Sequence, residues 1–530
     1  MQDNTFTVDR SVQPAKLNLS DTFNVCVPLL DRHIMQGRTT KSVARWRDCD
    51  LSYEQLYKDV LRLGSALKHL GLEQGDKIVL LVKDRPAYYQ TFLASIRIGA
   101  VIIPANTFLL AKDYAYIFQD SGAKAVFVSD GTIVEVSSAL KSGGSQVRHT
   151  ISTDSRHEGY LFIDDLMNDS EPVCPPAPTT PSSQCFWLYS SGSTGSPKAS
   201  VHEHKDIIYA AEHFGAGIIG IGENDIIFSA PKLFFAYGVG NSFAFPLYAG
   251  ATAILLEDRP TPDNTIDMLN RFDPTIYFGV PTLYAAQLAL IDKGKKLNIN
   301  RLRFCHSGGE ALPVALYERW KKATGLEIYD GIGSSEALHI YISNRPGHTK
   351  PGSSGLPVPG YDVRLVNADG QETTAGEVGE ILVRGDSVTK FYWQKPEKNK
   401  TSWTDGWFRS GDQAYRDADG YLYFCGRDDD MIKVGGIWVA PFEVETALIS
   451  HPAILEVAVV GAPDEQDLIK PKAYCVLRDT YKPSQALESE LIMHVKTTLA
   501  PFKYPRWIVF LDELPKTASG KIQRFRLRNS

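Results

Sequence analysis

Short, unbroken apolar runs recur through the first two-thirds of the chain, each closed by glycine or a polar residue. They are KIVLLV (77–82), VIIPA (101–105), AKAVFVS (123–129), TIYFGV (275–280), LRFCHSGG (302–309) and LEIYDGIG (326–333). A strand with one wet face alternates apolar and polar side chains. Runs without that alternation suit strands buried on both faces, in a parallel sheet covered by helices. Helical patterns lie between them: residues 52–70 place Tyr53, Leu56, Val60, Leu63, Leu67 and Leu70 on one stripe behind Ser52, an N-cap. Ligands of such sheets gather at the carboxyl ends of the strands. The residues that follow these runs are therefore the first candidates for chemistry.

At 530 residues the chain is too long for one core. Residues 171–184, EPVCPPAPTTPSSQ, read as an exposed connector, and residues 360–386 carry Asp-Gly turns and alternating strands of a β-rich subdomain. After the charged GRDDDMIK (426–433) the pattern changes to helix, strand, strand, helix, a compact α+β unit. The expected fold is α/β. Residues 1–428 form a large N-terminal domain of stacked βαβ subdomains plus the β-rich subdomain, and residues 429–530 a small α+β C-terminal domain.

With 43% hydrophobic and 22% charged residues the chain is globular, and a net charge of −6 without a basic block argues against nucleic acid. Seven scattered cysteines without a C-x-x-C pair read as reduced thiols of a cytoplasmic protein. The start, MQDNTFTVDR, is polar and lacks the pattern of a signal peptide. Residues 233–256 hold no charge, but Gly238, Gly240, Asn241, Ser242, Pro246 and Gly250 break them up; a helix running into a buried strand is expected, with no membrane partner.

The stretch SSGSTGSPKAS (190–200) crowds five hydroxyls and two glycines into its first seven residues. It is not a Walker loop: Gly192 and Gly195 are only three apart, and Pro197 precedes Lys198. A flexible linker is the plainer reading of its composition. Yet it follows the apolar CFWL (185–188), so it ends a strand within a domain, where glycines admit a close ligand and hydroxyls, amides and Lys198 can meet phosphate oxygens. Four further stretches bear on it. YDGIGSSEALH presents Glu336, a carboxylate suited to Mg2+ beside phosphates. DGWFRSGD presents Asp412, able to accept from two ribose hydroxyls; GRDDDMIKVGG presents Arg427; and LPKTASGKIQR presents Lys521. Alone, each has an ordinary reading as a turn cap, a solvated charge run or a surface lysine.

In this order and spacing, over residues 51–528, the stretches resemble the adenylate-forming superfamily of acyl- and aryl-CoA synthetases, luciferases and peptide-synthetase adenylation domains. FWLYSSGSTGSPKASVH, KLFFAYGVGN and the C-terminal LAPFKYPRWIVFLDELPKTASGKIQRFRLR resemble its benzoate-CoA ligase branch most. The resemblance implies ATP, Mg2+ and coenzyme A as cofactors and cosubstrates, an aryl carboxylic acid as substrate, and two half-reactions separated by rotation of the small domain. It implies that Ser190, Ser191, Gly192, Ser193, Thr194, Gly195 and Lys198 hold the β- and γ-phosphates, and that Gly308, Gly309, Glu310, Tyr329 and Asp330 line the adenine site. Ser335 would join the nucleotide site, Glu336 would bind Mg2+, and Asp412 and Arg427 would hold the ribose. Lys521 would bridge carboxylate and phosphate during adenylation, where charge builds on phosphorus. Asp429 matches the hinge, Gly435 and Gly436 the coenzyme A tunnel, and Lys433 a cation for the second half-reaction. The chain departs from the family pattern at Ala199 after Pro-Lys, at Ser335 before Glu336 and at Ala337 after it.

Amino-acid-activating relatives carry an acidic residue near KLFFAYGVG; this chain has none from Leu233 to Leu256. Phe235, Ala236, Tyr237 and Gly238, with Gly333, His339 and Ile340, would form a flat apolar slot for benzoate or a small amino- or hydroxybenzoate such as anthranilate. The main expectation is an aryl-CoA ligase, with room for a homodimer. A stand-alone aryl-adenylating enzyme that loads a carrier protein is the alternative. A non-catalytic nucleotide binder is disfavoured by the presence of both Glu336 and Lys521.

Overall fold

In the computed structural model, which describes residues 2–192, 195–434, 437–465, 468–500, 503–516 and 522–528, the apolar runs become the inner strands of two sheets. The first has seven strands among the described residues, in the order Gly195–Glu203, Gln184–Gly192, Val101–Pro104, Lys77–Leu81, Ala125–Val128, His149–Ser152 and Leu161–Phe162. All neighbours are parallel except the first pair. The second sheet has nine, with Thr252–Leu255, Ile226–Ser229, Ile276–Gly279, Phe304–Gly308 and Ile328–Gly333 running parallel through its middle. Every residue of Ala125–Val128, Ile226–Ser229, Thr252–Leu255 and Ile276–Gly279 is buried, which is why these runs show no alternation.

Helices fill the space between the sheets. Ser52 caps the helix Tyr53–His69 by accepting from the Gln55 amide at 3.1 Å, and the predicted stripe from Tyr53 to Leu67 is buried. Leu63, Phe92, Phe186, Phe243 and Phe278, drawn from both sheets and the helices between them, belong to one continuous core. Full burial of each such side chain contributes about 1.5–3 kcal/mol before conformational entropy is counted. Residues 233–256 form a broken helical segment through Phe245–Ala249 and then the strand Thr252–Leu255, and no helix among the described residues is long and apolar enough to cross a membrane.

The β-rich part is an antiparallel sheet through Asp362–Val366, Gly379–Arg384, Trp407–Arg416 and Leu422–Arg427. Beyond the turn Asp428–Asp430, the hairpin Ile432–Val434 and Ile437–Val439 leads into a separate core, where Ile432, Val434 and Val439 meet Val444, Val457 and Leu491. There Ile454–Pro463 pairs antiparallel with Ile469–Leu477, which pairs parallel with Trp507–Phe510.

The connector expected at 171–184 is irregular but not exposed throughout. Cys174, Ala177 and Thr179 are buried, and Thr179 exchanges hydrogen bonds with the Phe23 backbone at 2.7 and 2.9 Å. Its prolines forbid a ladder, so it packs as a strap. All seven cysteines are free, and burial pushes the thiols of Cys26, Cys305, Cys425 and Cys475 up to about 12.

Candidate active site

The Ser/Gly stretch is the tip of a β-hairpin. Gln184–Gly192 leaves the sheet and Gly195–Glu203 returns along it, with Tyr189 opposite Ala199 and Ser190 opposite Lys198. Ser193 and Thr194 lie outside the described residues. The base of the hairpin is anchored from both sides. The Tyr189 hydroxyl donates to Asp120 at 2.6 Å, the Tyr116 hydroxyl to the Pro197 carbonyl at 2.9 Å, and Trp393 packs on Trp187 with ring centroids 4.6 Å apart. Ala199, the first departure from the family pattern, is fully buried, and its carbonyl accepts from the Trp393 amide.

Across from Lys198 stands Glu336, delivered by the loop after Ile328–Gly333. Lys198 Nζ lies 3.0 Å from Glu336 Oε1 and 2.6 Å from the Tyr392 hydroxyl, which is itself 2.6 Å from the same carboxylate oxygen. The loop is held from below: His202 Nε2 donates to the Ser335 carbonyl at 2.7 Å, and His202 Nδ1 is 2.9 Å from Asp206. Glu336 is buried, and burial alone would favour its neutral form. The Lys198 ammonium and the Tyr392 hydroxyl outweigh that and hold it below the ordinary 4.5. A hard oxygen donor kept charged, open to phosphates through Lys198, fits Mg2+, which takes one or two carboxylates plus substrate phosphates. Among the described residues no three His, Cys, Asp or Glu side chains gather into a closed metal cage.

The nucleotide candidates line the ends of adjacent parallel strands. Gly308 and Gly309 end Phe304–Gly308, with Gly309 at φ +86°, and Glu310 follows. In the neighbouring strand Ser307 faces Asp330 and His306 faces Tyr329. Tyr329 stacks on Phe304 at 4.7 Å, and the Asp330 carboxylate accepts from the Ser354 hydroxyl at 3.1 Å, with burial raising it well above the usual range. Asp412 and Arg427 sit opposite each other on antiparallel strands, Oδ1 to Nη1 3.1 Å.

The residues expected to form the aryl slot centre on Tyr237 and His339, whose ring centroids are 5.2 Å apart. A Cβ at Gly308 would sit 3.3 Å from Ile340 Cδ1 and 3.4 Å from Tyr237 Cζ, so Gly308, Ile340 and Tyr237 share one wall. A side chain at Gly238 would collide with the Lys232 carbonyl, and one at Gly240 with the His339 ring. Phe235 starts the helix Ala236–Val239 and packs on Phe234 at 4.6 Å; Gly333 abuts the His339 carbonyl. Ala337, the third departure from the family pattern, is fully buried, and its carbonyl accepts from the Ser387 hydroxyl at 2.9 Å. Burial holds His339 neutral, at about 3. His339 Nε2 is 3.0 Å from Asn241 Oδ1, and Phe214 and Phe245 flank the ring.

Behind Tyr237 runs a chain of hydrogen bonds with a fixed direction. The Ser343 hydroxyl donates to the Asn344 carbonyl at 2.6 Å, so it can only accept from His306 Nε2 at 3.2 Å. Burial keeps His306 neutral, which leaves Nδ1 bare to accept the Tyr237 hydroxyl proton at 2.7 Å.

Of the C-terminal candidates, Lys521, Gly435 and Gly436 lie outside the described residues. Lys433 lies in the short strand Ile432–Val434, and Asp429 in the turn Asp428–Asp430. The segment after Lys521 is anchored: Ile522 bridges Lys516, and Arg524 Nη2 lies 2.9 Å from both oxygens of Glu445. Sequence reasoning missed Tyr392, hidden in an FYW run that reads as core. It also missed the His202–Asp206 pair, whose four-residue spacing was legible.

This arrangement, an α/β domain followed by a small α+β unit, is the class to which two family models also assign the chain: AMP-binding enzyme over residues 31–393 and AMP-binding enzyme C-terminal domain over 443–521. The chain belongs to the AMP-binding enzyme family. It is 46% identical over 524 residues to a benzoate–CoA ligase of Thauera aromatica, covering 98% of this chain and 99% of that one. It is 42% identical to a 4-hydroxybenzoate–CoA/benzoate–CoA ligase of Rhodopseudomonas palustris, over 96% and 94% of the two chains. The crystal structure of the anthranilate CoA ligase AuaEII in complex with anthranoyl-AMP superposes with a TM-score of 0.93 at 40% identity, covering 96% of this chain and 98% of that one.

Proposed function

We propose that the protein is an ATP-dependent aryl-CoA ligase. It activates benzoate or a small amino- or hydroxybenzoate as the aryl-adenylate, releasing pyrophosphate, and transfers the aryl group to coenzyme A, releasing AMP. One observation carries this reading: the loop from Gly333 to Ile340 bears both Glu336, facing Lys198, and His339, facing Tyr237, so a charged phosphate corner and an aromatic slot share one short segment. Both sequence relatives described above are named as CoA ligases, which favours coenzyme A over a carrier protein.

In this reading the hairpin residues Ser190, Ser191, Gly192, Ser193, Thr194, Gly195 and Lys198 take the β- and γ-phosphates. Gly308, Gly309, Glu310, Tyr329 and Asp330 surround the adenine, Ser335 joins the nucleotide site, and Asp412 with Arg427 holds the ribose. Glu336 would hold Mg2+, which would supply charge neutralisation to the triphosphate. The slot strips water from the aryl ring and aims its carboxylate at the α-phosphorus. Lys521 steadies the oxygens that gain charge as the carboxylate attacks and pyrophosphate departs. The domains divide at 428/429, Asp429 is the hinge, and Lys433, Gly435 and Gly436 serve the thioester step. A cytoplasmic location, where ATP and coenzyme A are both supplied, belongs to the same reading.

The test is a pyrophosphate-release assay with benzoate, aminobenzoates, hydroxybenzoates and unbranched fatty acids, with mass spectrometry of the thiol product. Aryl-dependent release with formation of aryl-CoA is expected. Release without a CoA thioester, together with a mass shift on a carrier protein, would replace this reading with the carrier-loading alternative.

A further inference from the structure

Lys198, Glu336 and Tyr392 close a triangle of three hydrogen bonds. The ammonium donates to the carboxylate at 3.0 Å and to the Tyr392 oxygen at 2.6 Å, and the Tyr392 hydroxyl donates to the same carboxylate at 2.6 Å. Lys198 also lies 4.1 Å from the centroid of the Tyr392 ring. Tyr392 cannot drift: it is fully buried, Trp403 packs on its ring at 5.0 Å, and Asn399 brackets its backbone with bonds of 2.8 and 3.0 Å. The Thr389 amide holds the Glu336 carbonyl at 2.7 Å, tying the same segment to the loop.

A buried carboxylate stripped of its cation loses several kcal/mol, because nothing in a dry site replaces the lost charge. A triphosphate that draws Lys198 toward its own oxygens strips Glu336 in this way unless a second cation arrives. We propose that Lys198 is the built-in counter-cation of Glu336, and that nucleotide and divalent cation displace it together, so that each binds well only in the presence of the other. The coupling is reciprocal by linkage. The inference rests on the reading of Lys198 as a phosphate ligand and of Glu336 as the metal ligand.

The experiment is calorimetric titration of full-length protein with ATP, without aryl acid, in excess EDTA and again with Mg2+. It uses wild type, Glu336→Gln, Lys198→Met and the double variant. Wild type binds metal-free ATP at least tenfold more weakly than MgATP. Glu336→Gln tightens metal-free ATP about tenfold where Lys198 is present and by less than about threefold in the Lys198→Met background. An equal gain in both backgrounds means through-space repulsion alone and overturns the proposal, as does no gain in either. Melting temperatures without ligand give a second reading: Lys198→Met lowers the melting point, and adding Glu336→Gln restores part of the loss. A double variant that falls by the sum of the two singles overturns the proposal too. Failure of the underlying reading looks different: Lys198→Met would then leave MgATP binding unchanged.

Discussion

Tyr237 gives its hydroxyl proton to His306, and the direction of that bond is fixed from behind by Ser343 and Asn344. The phenol oxygen at the slot wall therefore has lone pairs to offer and no proton. A ring substituent that donates is matched by this oxygen, whereas one that only accepts is opposed by it.

Tyr237→Phe should consequently narrow the preference for amino- or hydroxybenzoates over acceptor-only analogues of similar size. A neutral hydrogen bond contributes about 0.5–1.5 kcal/mol net, so the change in the kcat/KM ratio is roughly three- to tenfold. Benzoate itself, which makes no such bond, should change least. An unchanged ratio across the panel would show that the Tyr237 oxygen does not meet the ring substituent.

Acid stability carries the signature of Glu336. Its folded value is depressed below 4.5, so the pair with Lys198 stabilises the fold fully above that pH and loses its contribution as pH falls through the folded value. Glu336→Gln should be less stable than wild type by about 1–3 kcal/mol at pH 7. The two denaturant midpoints should converge as pH falls below 4.5 and through the folded value, a comparison that urea titrations at four or five pH values would settle. Curves that stay parallel to the acid end would contradict it.

Lys521→Ala should abolish acid-dependent pyrophosphate release while leaving part of the thioesterification of supplied aryl-adenylate. Arg524, anchored on Glu445 three residues further on, fixes where that segment emerges. Arg524→Met should weaken pyrophosphate release by about ten- to a hundredfold with the thioester step less affected, since loss of positioning at a distance commonly has that size. Equal damage to both half-reactions in Lys521→Ala would remove the assignment.

Gly240→Ala places a methyl group inside the His339 ring. Overpacking of this kind costs about 1–3 kcal/mol, and His339 must swing away to relieve it. The expected outcome is a melting point several degrees lower and a KM for the aryl acid raised more than that for ATP. A lower melting point with both KM values unchanged would detach Gly240 from the slot.

The sheets were legible because strands buried on both faces write uninterrupted runs such as AVFV and IYFG, and turns after them write glycine. The returning strand Gly195–Glu203 was not legible: Pro197 and Lys198 disguise it, and only pairing with Gln184–Gly192 makes it a strand. Residues 171–184 misled for a related reason, since proline predicts irregularity but says nothing about whether the irregular chain is covered. Glu336, Asp412, Arg427 and Lys198 stood out as candidates because their motifs carry them. Tyr392 and His202 hold Glu336 and its loop, and His306 holds Tyr237. An aromatic or imidazole ring in such a role writes the same letters as core, so distance alone reveals it.

The hairpin strand Gly195–Glu203 is the last strand on its side of the seven-stranded sheet, a backbone edge open to pairing with foreign chains. The segment that carries Tyr392 lies along it: Ser200 bridges Tyr392 and the Trp393 amide binds the Ala199 carbonyl. The polypeptide that carries Tyr392 thus covers part of this edge and doubles as a guard against β-aggregation. Lesions that loosen it should surface first as insoluble protein in the cell, before any assay of turnover is run.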